Sequence, residues 1–357
     1  MTKAAELAKM GEVLTNSQIG GRRNIVINGA MQVAQRSTSE TGLGATAGYH
    51  TLDRFRTHFV GTAGRLTMTQ TADGPSGFAN CLKLDCTTAD TSIADAEILF
   101  FQQRFEGQDL QQLKKGTSDA ELITVSFYVK ANAAFTFGCE LEDKDNSRQI
   151  TKLFDTTTDW VKHEITFPAD TTGALDDDNA RSFDITFWIH AGATFAGGTL
   201  NTAAWASKVN ANRAAGIDSF LSSTDNELFI TGVQMEIGSQ ATNFEHRSVG
   251  EELALCQRYF NMSFPVTAGA STSVGRTYVV LGADSGSRNK GASLFYKKTM
   301  RATPTFTFYN ESGGTGNFTA PDITGNSVGG SINGTTVYGS STDTAEIYLH
   351  YTADAEL

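Results

Sequence analysis

The sequence lacks any long hydrophobic run. Its longest apolar stretches, residues 94–101 and 123–129, are short or interrupted by polar residues, whereas a membrane-spanning helix needs about 20 consecutive apolar residues. The first residues, MTKAAELAKMGEVLTN, contain no continuous apolar region. We therefore expect neither membrane insertion nor a secretory signal peptide, and we expect folding in a cytoplasm.

Cysteine is scarce, and its spacing matches no metal motif. The four cysteines are Cys81, Cys86, Cys139 and Cys256, and none forms a CxxC pair. Cys81 and Cys86 lie on one predicted strand at an odd separation, so they face opposite sides and cannot pair locally. No two of the six histidines stand four residues apart, and no glycine-rich phosphate loop is present. The sequence therefore predicts reduced, buried thiols, no motif-borne cofactor and no catalytic residues.

Basic residues are also in deficit. The 357-residue chain carries 28 Lys and Arg against 39 Asp and Glu, a formal net charge of −11. Nucleic-acid binding needs basic patches that neutralise phosphates, so this balance argues against such a partner. Charged residues make up only 19% and glycine reaches 35 residues, a composition typical of β-rich proteins with many turns.

What the sequence does contain is alternation of apolar and polar residues at period two. In SFYVK, Phe127 and Val129 face one way and Tyr128 and Lys130 the other. FTFGCELE and DITFWIH show the same pattern, and no long helical segment separates the strands. The sequence therefore predicts a mainly β fold: a jelly-roll β-sandwich, followed by a short helix and a smaller C-terminal β-domain, with a short N-terminal helix.

Four segments follow from this pattern. Residues 1–21 contain an amphipathic helix that either packs on its own domain or serves attachment or self-association. Residues 22–247 form the jelly roll, with a hairpin predicted at Asn28-Gly29 and a long insertion loop over residues 196–223. Residues 248–264 form a linking helix that begins at a capping box of Ser248 and Glu251. Residues 265–357 form the second β-domain, whose thin predicted core favours oligomerisation.

Three stretches together resemble phage tail-fibre and receptor-binding proteins that carry a carbohydrate-binding-module-like jelly roll. The most specific is ITGVQMEIGSQATNFEHRSVGEELALCQRYF at residues 230–260. The others are NIVINGAMQVAQR with YHTLDRFR near the start, and MRATPTFTFYN at residues 300–310. The resemblance covers most of residues 22–310.

The resemblance implies a virion structural protein on the surface of a phage particle, in the tail. It implies a homotrimer that binds a host surface glycan without catalysis and contacts other virion proteins, through the N-terminal helix in our interpretation. Two alternatives stay open: a capsid-decorating or capsid-protruding fibre without receptor binding, and a glycan-degrading tailspike. The last would need two carboxylates facing each other across a glycosidic bond, for which Asp90, Asp95, Glu97 and Asp176 to Asp178 are the candidates.

Carbohydrate-binding modules of this shape often hold a structural calcium through carboxylates near the first and last strands. The corresponding stretches here, NGAMQV and FITGVQM, offer Gln32 and Thr231 and no carboxylate. Calcium prefers several charged oxygen ligands, so we do not expect a structural calcium at that place.

Sugar binding needs aromatic rings that stack on pyranose faces and polar groups that meet the hydroxyls. The candidates are residues on the polar side of the alternating strands and in the insertion loop, and each could instead be a packing residue. They are Trp188, Tyr128, His190, Lys130, Glu140 and Trp205. Trp160, just before VKHEITF, is interpreted as a core residue.

Overall fold

The computed structural model describes residues 3–4, 23–264, 277–279, 288–309, 323–324, 328–341 and 347–357. The chain divides into two compact units. The first comprises Met1–Gln32 and Ser39–Arg247, and the second comprises Val33–Thr38 and Ser248–Leu357. No helix in the described part of the chain is long and apolar enough to cross a membrane.

From residue 23 onward, the described part of the first unit contains thirteen strands with five short helical segments between them. The strands are β1 (Ser39–Leu43), β2 (Gly48–Tyr49), β3 (Arg56–Val60), β4 (Arg65–Thr71), β5 (Cys81–Thr88), β6 (Ile98–Glu106), β7 (Ile123–Ala131), β8 (Thr136–Asp143), β9 (Arg148–Asp155), β10 (Val161–Phe167), β11 (Arg181–Ala191), β12 (Ala206–Ser207) and β13 (Glu227–Ile237). The helical segments are the four-residue α-helix Ala193–Ala196 and the 3-10 turns Gly107–Asp109, Gln111–Leu113, Asn210–Asn212 and Phe220–Ser222.

These strands form two antiparallel sheets. The six-stranded sheet has the order β1-β4-β5-β13-β7-β10, and the seven-stranded sheet has the order β12-β9-β8-β11-β6-β3-β2. The chain crosses repeatedly from one sheet to the other, as from β5 to β6, β6 to β7 and β7 to β8. This connectivity is that of a jelly-roll sandwich, so the predicted fold class is confirmed.

The core lies between the two sheets and is rich in phenylalanine. Phe127 from the six-stranded sheet meets Phe187 from the seven-stranded sheet edge to face, with ring centroids 5.1 Å apart. Phe187 also stacks on Phe101 of β6 at 4.8 Å. All three side chains are buried. The inward parity predicted from period two is therefore confirmed, and aromatic pairs of this kind add to the free energy gained from burial.

The hairpin predicted at Asn28-Gly29 is wrong. A turn is present, with Met31 N–H donating to Asn28 O at 2.9 Å, but no strand occurs within residues 23–38. Ile25 N–H instead donates to Met235 O at 2.9 Å, and Ile27 N–H donates to the Gln103 side chain at 2.7 Å. The apolar residues of this segment are buried in the sandwich, where these partners satisfy its backbone.

The second unit is also β-rich. Its strands are β14 (Phe260–Met262), β15 (Thr277–Val279), β16 (Arg288–Phe295), β17 (Thr305–Tyr309), β18 (Ile323–Thr324), β19 (Val328–Gly330), β20 (Gly334–Ser341) and β21 (Ile347–Asp354). The strands β14, β15 and β17 pair with β21, and β16, β18 and β19 pair with β20, all antiparallel. The smaller C-terminal β-domain is thus confirmed.

Two local devices organise this unit. The helix Val249–Cys256 begins at Ser248, whose side chain accepts from Glu251 N–H while the Glu251 carboxylate accepts from Ser248 N–H. This is the predicted capping box. In the short segment Val33–Thr38, Arg36 pairs with Asp354 at 3.0 Å and lies 3.7 Å above the Phe260 ring. The helix predicted near the N-terminus lies outside the described residues, apart from Lys3 and Ala4, which are helical and exposed.

Candidate functional site

The outer face of the six-stranded sheet carries a row of aromatic and basic side chains. Lys130 of β7 pairs in register with Phe229 of β13, and Phe229 pairs with Lys83 of β5. Trp160 stands immediately before Val161, which pairs with Val129, so Trp160 falls beside Lys130 on the other flank. The row therefore crosses four neighbouring strands in the order Trp160, Lys130, Phe229, Lys83.

Contacts within this row are close. The Lys130 ammonium lies 5.3 Å from the Trp160 ring centre and 4.6 Å from that of Phe229. Lys83 lies 5.5 Å from Phe229 on its other flank, and the Trp160 and Phe229 rings are 6.4 Å apart at 71°. Phe229 is 8% exposed, while Trp160 stays half-buried. The lysines thus hold the rings in place by cation–π contacts and leave part of Trp160 facing outward.

Carboxylates fix both lysines. Lys130 Nζ donates to Asp73 at 2.7 Å, and Lys83 Nζ donates to Glu227 at 2.5 Å. Each pair is partly exposed. The row therefore places charged hydrogen-bonding groups of both signs directly beside its rings.

A second aromatic group continues from Tyr128, two residues before Lys130 on β7. The Tyr128 ring is half-buried and lies 5.2 Å from Phe78. Phe78 in turn contacts Phe244 at 5.0 Å and His246 at 5.2 Å. We call the two groups together the aromatic face: Trp160, Phe229, Lys130, Lys83, Tyr128, Phe78, Phe244 and His246.

Gly232 makes this packing possible. The register of β13 against β7 shifts between Thr231 and Gln234, and Gly232 there has φ +63°. A Cβ at that position would lie 2.8 Å from the Phe78 ring and 2.9 Å from the Tyr128 ring. The strand bulge and its glycine therefore let the two rings close over the backbone.

Chemically, the aromatic face combines partly open rings with charged groups. Half-exposed indole and phenol rings offer apolar faces to the C–H side of a pyranose, and ammonium, carboxylate and imidazole groups can bond its hydroxyls. Tyr128 and Lys130 belong to this face. The other predicted sugar-binding residues lie elsewhere, so the six do not form one cluster.

Trp188, Glu140 and His190 point from the opposite, seven-stranded sheet and are fully buried. The insertion after β11, which in the structure spans residues 192–223, covers them. Phe195, Ala214 and Ile217 pack with Phe100 and Trp188 in one hydrophobic cluster. A ring without exposed surface presents no face to a glycan. In this structure Trp188 is therefore a packing residue, which corrects its prediction as a sugar platform.

Glu140 is the centre of a buried ionic network beneath this insertion. It accepts the Trp188 indole N–H at 2.7 Å and a two-pronged contact from Arg213 at 2.8 Å for both bonds. Arg213 also donates to Glu142 at 2.7 Å. The pKa of Glu140 is raised, because the effect of burial exceeds the opposite effect of Arg213 and of the indole N–H. Every oxygen of Glu140 is thus engaged in holding the insertion on the sheet.

Glu142 differs because it has further cations. Lys144 and Lys208 donate to it at 2.9 and 3.0 Å. Burial alone would raise its pKa, but the charges of Arg213 and these lysines hold the pKa of Glu142 at about 2.

Trp205, the last predicted platform, also packs inward. It is 8% exposed, its indole N–H donates to Pro168 O at 2.9 Å, and its ring lies 5.9 Å from Phe183. Because its indole N–H and its ring are both in contact with other residues, Trp205 has little surface on which a ligand could stack.

The prediction that Trp160 is a core residue is wrong. It shares the parity of Lys162 and Glu164, while the core residues of β10 are Ile165 and Phe167. The alternation within WVKHEITF therefore contained the signal that would have placed this ring on the outer face. Phe229 was missed for a different reason: it lies in the apolar run LFI, where alternation is not visible.

The strand β3 of the seven-stranded sheet carries a histidine–arginine pair. His58 of β3 stacks on Phe100 at 4.9 Å, and its Nδ1 lies 2.9 Å from Arg56 Nη1. Burial, together with the charge of Arg56, lowers the pKa of His58 to about 4. The imidazole is therefore neutral at pH 7 and accepts from the guanidinium.

A calcium ion does not fit the place that the resemblance suggests. Thr231 is buried and its hydroxyl donates to Asn80 O at 2.8 Å, and Gln32 brings no charge. Of the candidate carboxylates for hydrolysis, Asp90 and Glu97 come together, but both are buried, so a polysaccharide cannot lie between these two.

No protein-family model and no curated protein matches this sequence. Similar solved structures include the family 11 carbohydrate-binding module of a cellulosomal cellulase of Clostridium thermocellum, with TM-score 0.29, 12% identity and coverage of 58% of this chain and 98% of that one. A family 61 module in complex with β-1,4-galactotriose has TM-score 0.32, 9% identity and coverage of 61% and 100%. The xylan-binding domain CBM22-1 of Paenibacillus barcinonensis has TM-score 0.28, 12% identity and coverage of 62% and 100%. At this level the likeness concerns the fold alone.

Proposed function

We propose that this chain binds a glycan on the aromatic face of its six-stranded sheet and that it does so without catalysis. The observation that carries the proposal is the row Trp160, Lys130, Phe229 and Lys83, with Tyr128 beside it. Two of these rings, those of Trp160 and Tyr128, are half-buried and so keep surface available for stacking.

The geometry suits an extended saccharide. Tyr128 and Trp160 lie on neighbouring strands and are offset by two residues along them. With strands ~4.8 Å apart and a rise of ~3.3 Å per residue, their Cα atoms are separated by about 8 Å. Two platforms at that separation, with Lys130 and Asp73 between and beside them, can hold successive sugar units.

On its sequence resemblance, we further propose that the protein is a phage tail-fibre or receptor-binding subunit. It would be displayed on the particle as a homotrimer, with the glycan belonging to the host surface. The net charge of −11 is compatible with a soluble, surface-displayed protein. Contact with other virion proteins through residues 1–21 belongs to the same proposal.

Titration calorimetry with host surface polysaccharide tests the binding proposal. Trp160→Ala and Tyr128→Ala should each weaken binding on the order of tenfold, equivalent to about 1.4 kcal/mol. Trp205→Phe is the matched control, because it removes an indole N–H far from the aromatic face and should bind as the parent does. Unchanged affinity in both alanine variants, with their fold intact by circular dichroism, would exclude this face.

Three further observations separate the alternatives. A fall in polysaccharide chain length on incubation would establish a depolymerase and overturn the non-catalytic proposal. Immunolabelling of particles distinguishes tail from capsid. A stable monomer near the chain mass of 38.3 kDa in solution would contradict a trimeric fibre subunit.

A further inference from the structure

A cluster away from the aromatic face brings together Asp90, Glu97 and His190. Their ligand atoms all lie within 4.8 Å of one another, and all three residues are buried. Asp90 follows β5, Glu97 immediately precedes β6, and His190 lies near the end of β11. The three therefore come from the two ends of one connection and from a strand some ninety residues on, within the first unit.

Two polar atoms in this cluster have no hydrogen-bond partner among the described residues. His190 Nε2 and Glu97 Oε2 are both buried and unsatisfied, and they face each other at 3.7 Å. That distance is too long for a hydrogen bond. The other ring nitrogen, His190 Nδ1, lies 2.8 Å from Ser219 Oγ. A buried polar atom without a partner costs about 1–3 kcal/mol, and here two of them are aimed at the same point.

The two carboxylates also lack a strongly basic partner in the described part of the chain. Neither Asp90 nor Glu97 forms an ion pair there with a lysine or arginine, and the one ion-pair contact of Glu97 is with His190. Asp90 receives neutral donors alone: the Thr62 hydroxyl at 2.7 Å and the backbone N–H groups of Ala63 and Ser92. Buried carboxylates without a counter-charge are strongly unfavourable, whereas a bound cation would balance them.

From these observations we infer that Asp90, Glu97 and His190 form a binding site for a divalent first-row transition metal ion, with Zn²⁺ as the best fit and Mn²⁺ the next. An ion bound at about 2.1 Å to both a nitrogen and an oxygen holds them about 3.4 Å apart in tetrahedral geometry, close to the 3.7 Å seen between His190 Nε2 and Glu97 Oε2. One imidazole with two carboxylates suits these ions. Calcium prefers six to eight oxygen ligands, so it should bind here weakly.

The role of such an ion would be structural. The backbone already ties the cluster to the insertion, because Gly192 N–H donates to Glu97 O at 2.8 Å and Asp90 N–H donates to Leu221 O at 2.7 Å. The Ser219 contact to His190 adds a third link. A metal ion at this point would clamp both ends of the insertion against the sandwich. This inference does not depend on glycan binding.

The test uses the full-length chain, dialysed against a chelator and then titrated with ZnCl₂, MnCl₂ and CaCl₂. Calorimetry should show a single Zn²⁺ ion bound per chain, and Zn²⁺ should raise the Tm of the tryptophan-reported transition. Glu97→Gln and His190→Gln should each weaken Zn²⁺ binding by about 10-fold to 100-fold or more, since the loss of even an outer partner of a metal ligand weakens binding by about that factor. Glu164→Gln and His163→Gln are matched controls outside the cluster and should bind Zn²⁺ as the parent does.

Each outcome decides the matter. Should His190→Gln not fold, the near-isosteric Glu97→Gln still tests the site. Binding that survives Glu97→Gln, or that the controls lose equally, overturns the inference. So does stabilisation by Ca²⁺ without stabilisation by Zn²⁺ or Mn²⁺. Absence of metal binding would overturn it as well and would leave a proton shared between Asp90 and Glu97 as the balancing charge, in line with burial and Asp90 raising the pKa of Glu97.

Discussion

Replacing Arg213 by methionine should destabilise the first unit by about 3–5 kcal/mol, the usual effect of removing one partner from a buried ion pair. The side chain makes three bonds to carboxylates at 2.7–2.8 Å. Methionine fills much of the same volume but supplies neither charge nor hydrogen-bond donor. The carboxylates of Glu140 and Glu142 therefore lose the cation that they share.

Most of the lost stability should come from Glu140, which is left buried without a counter-charge. Its side chain has no exposed surface, so water cannot replace the guanidinium, and the Trp188 indole N–H is a neutral donor. Glu142 keeps Lys144 and Lys208. Neutralising Glu140 in the double variant Arg213→Met/Glu140→Gln should therefore restore at least half of the lost stability, while Arg213→Met/Glu142→Gln should restore little.

Urea unfolding followed by tryptophan fluorescence measures the stability of the first unit. All three tryptophans, Trp160, Trp188 and Trp205, lie in the first unit. With a denaturant slope of about 3 kcal/mol/M, a loss of 3–5 kcal/mol lowers the urea midpoint by roughly 1–2 M. A midpoint within about 0.3 M of the parent would refute the reasoning, as would equal recovery in the two double variants.

Three further predictions concern pH, thiols and backbone. The pKa of His58 in the folded protein lies at about 4, below its ordinary value of 6.5. The unfolded chain therefore binds a proton first, and the free energy of unfolding should fall as the pH drops from about 6.5 to about 4. In His58→Gln the Tm should depend less on pH over that range, and a pH dependence equal to that of the parent would contradict the lowered pKa. Burial raises the pKa of the Cys81, Cys86 and Cys139 thiols, and Cys256 is buried as well. A thiol reagent such as DTNB should therefore react with the four cysteines in urea and not with the native protein. Rapid labelling of the native protein would contradict this prediction. Gly29→Ala should destabilise the first unit by about 1–3 kcal/mol, because a Cβ would lie 2.0 Å from Val233 O, and a urea midpoint equal to that of the parent would show that the backbone yields freely there.

Much of the fold follows from local sequence patterns. Alternation places Phe127, Phe187 and their neighbours inward wherever a strand is half-buried, because successive side chains of a strand point to opposite faces. The capping box at Ser248 needs only groups three residues apart. The same alternation, extended one residue before VKHEITF, places Trp160 on the outer face.

The candidate sites depended on contacts that no local pattern contains. Tyr128 and Trp188 both alternate with core residues, but they belong to different sheets, and an insertion covers one of them and not the other. Asp90, Glu97 and His190 are separated by up to a hundred residues along the chain, and strand pairing in the folded sandwich brings them together. The sequence by itself therefore determined which side of its own strand each residue occupies, because that depends on neighbours along the chain. Tertiary structure alone decided which of those sides is open to a ligand, because that depends on which distant segment packs over it.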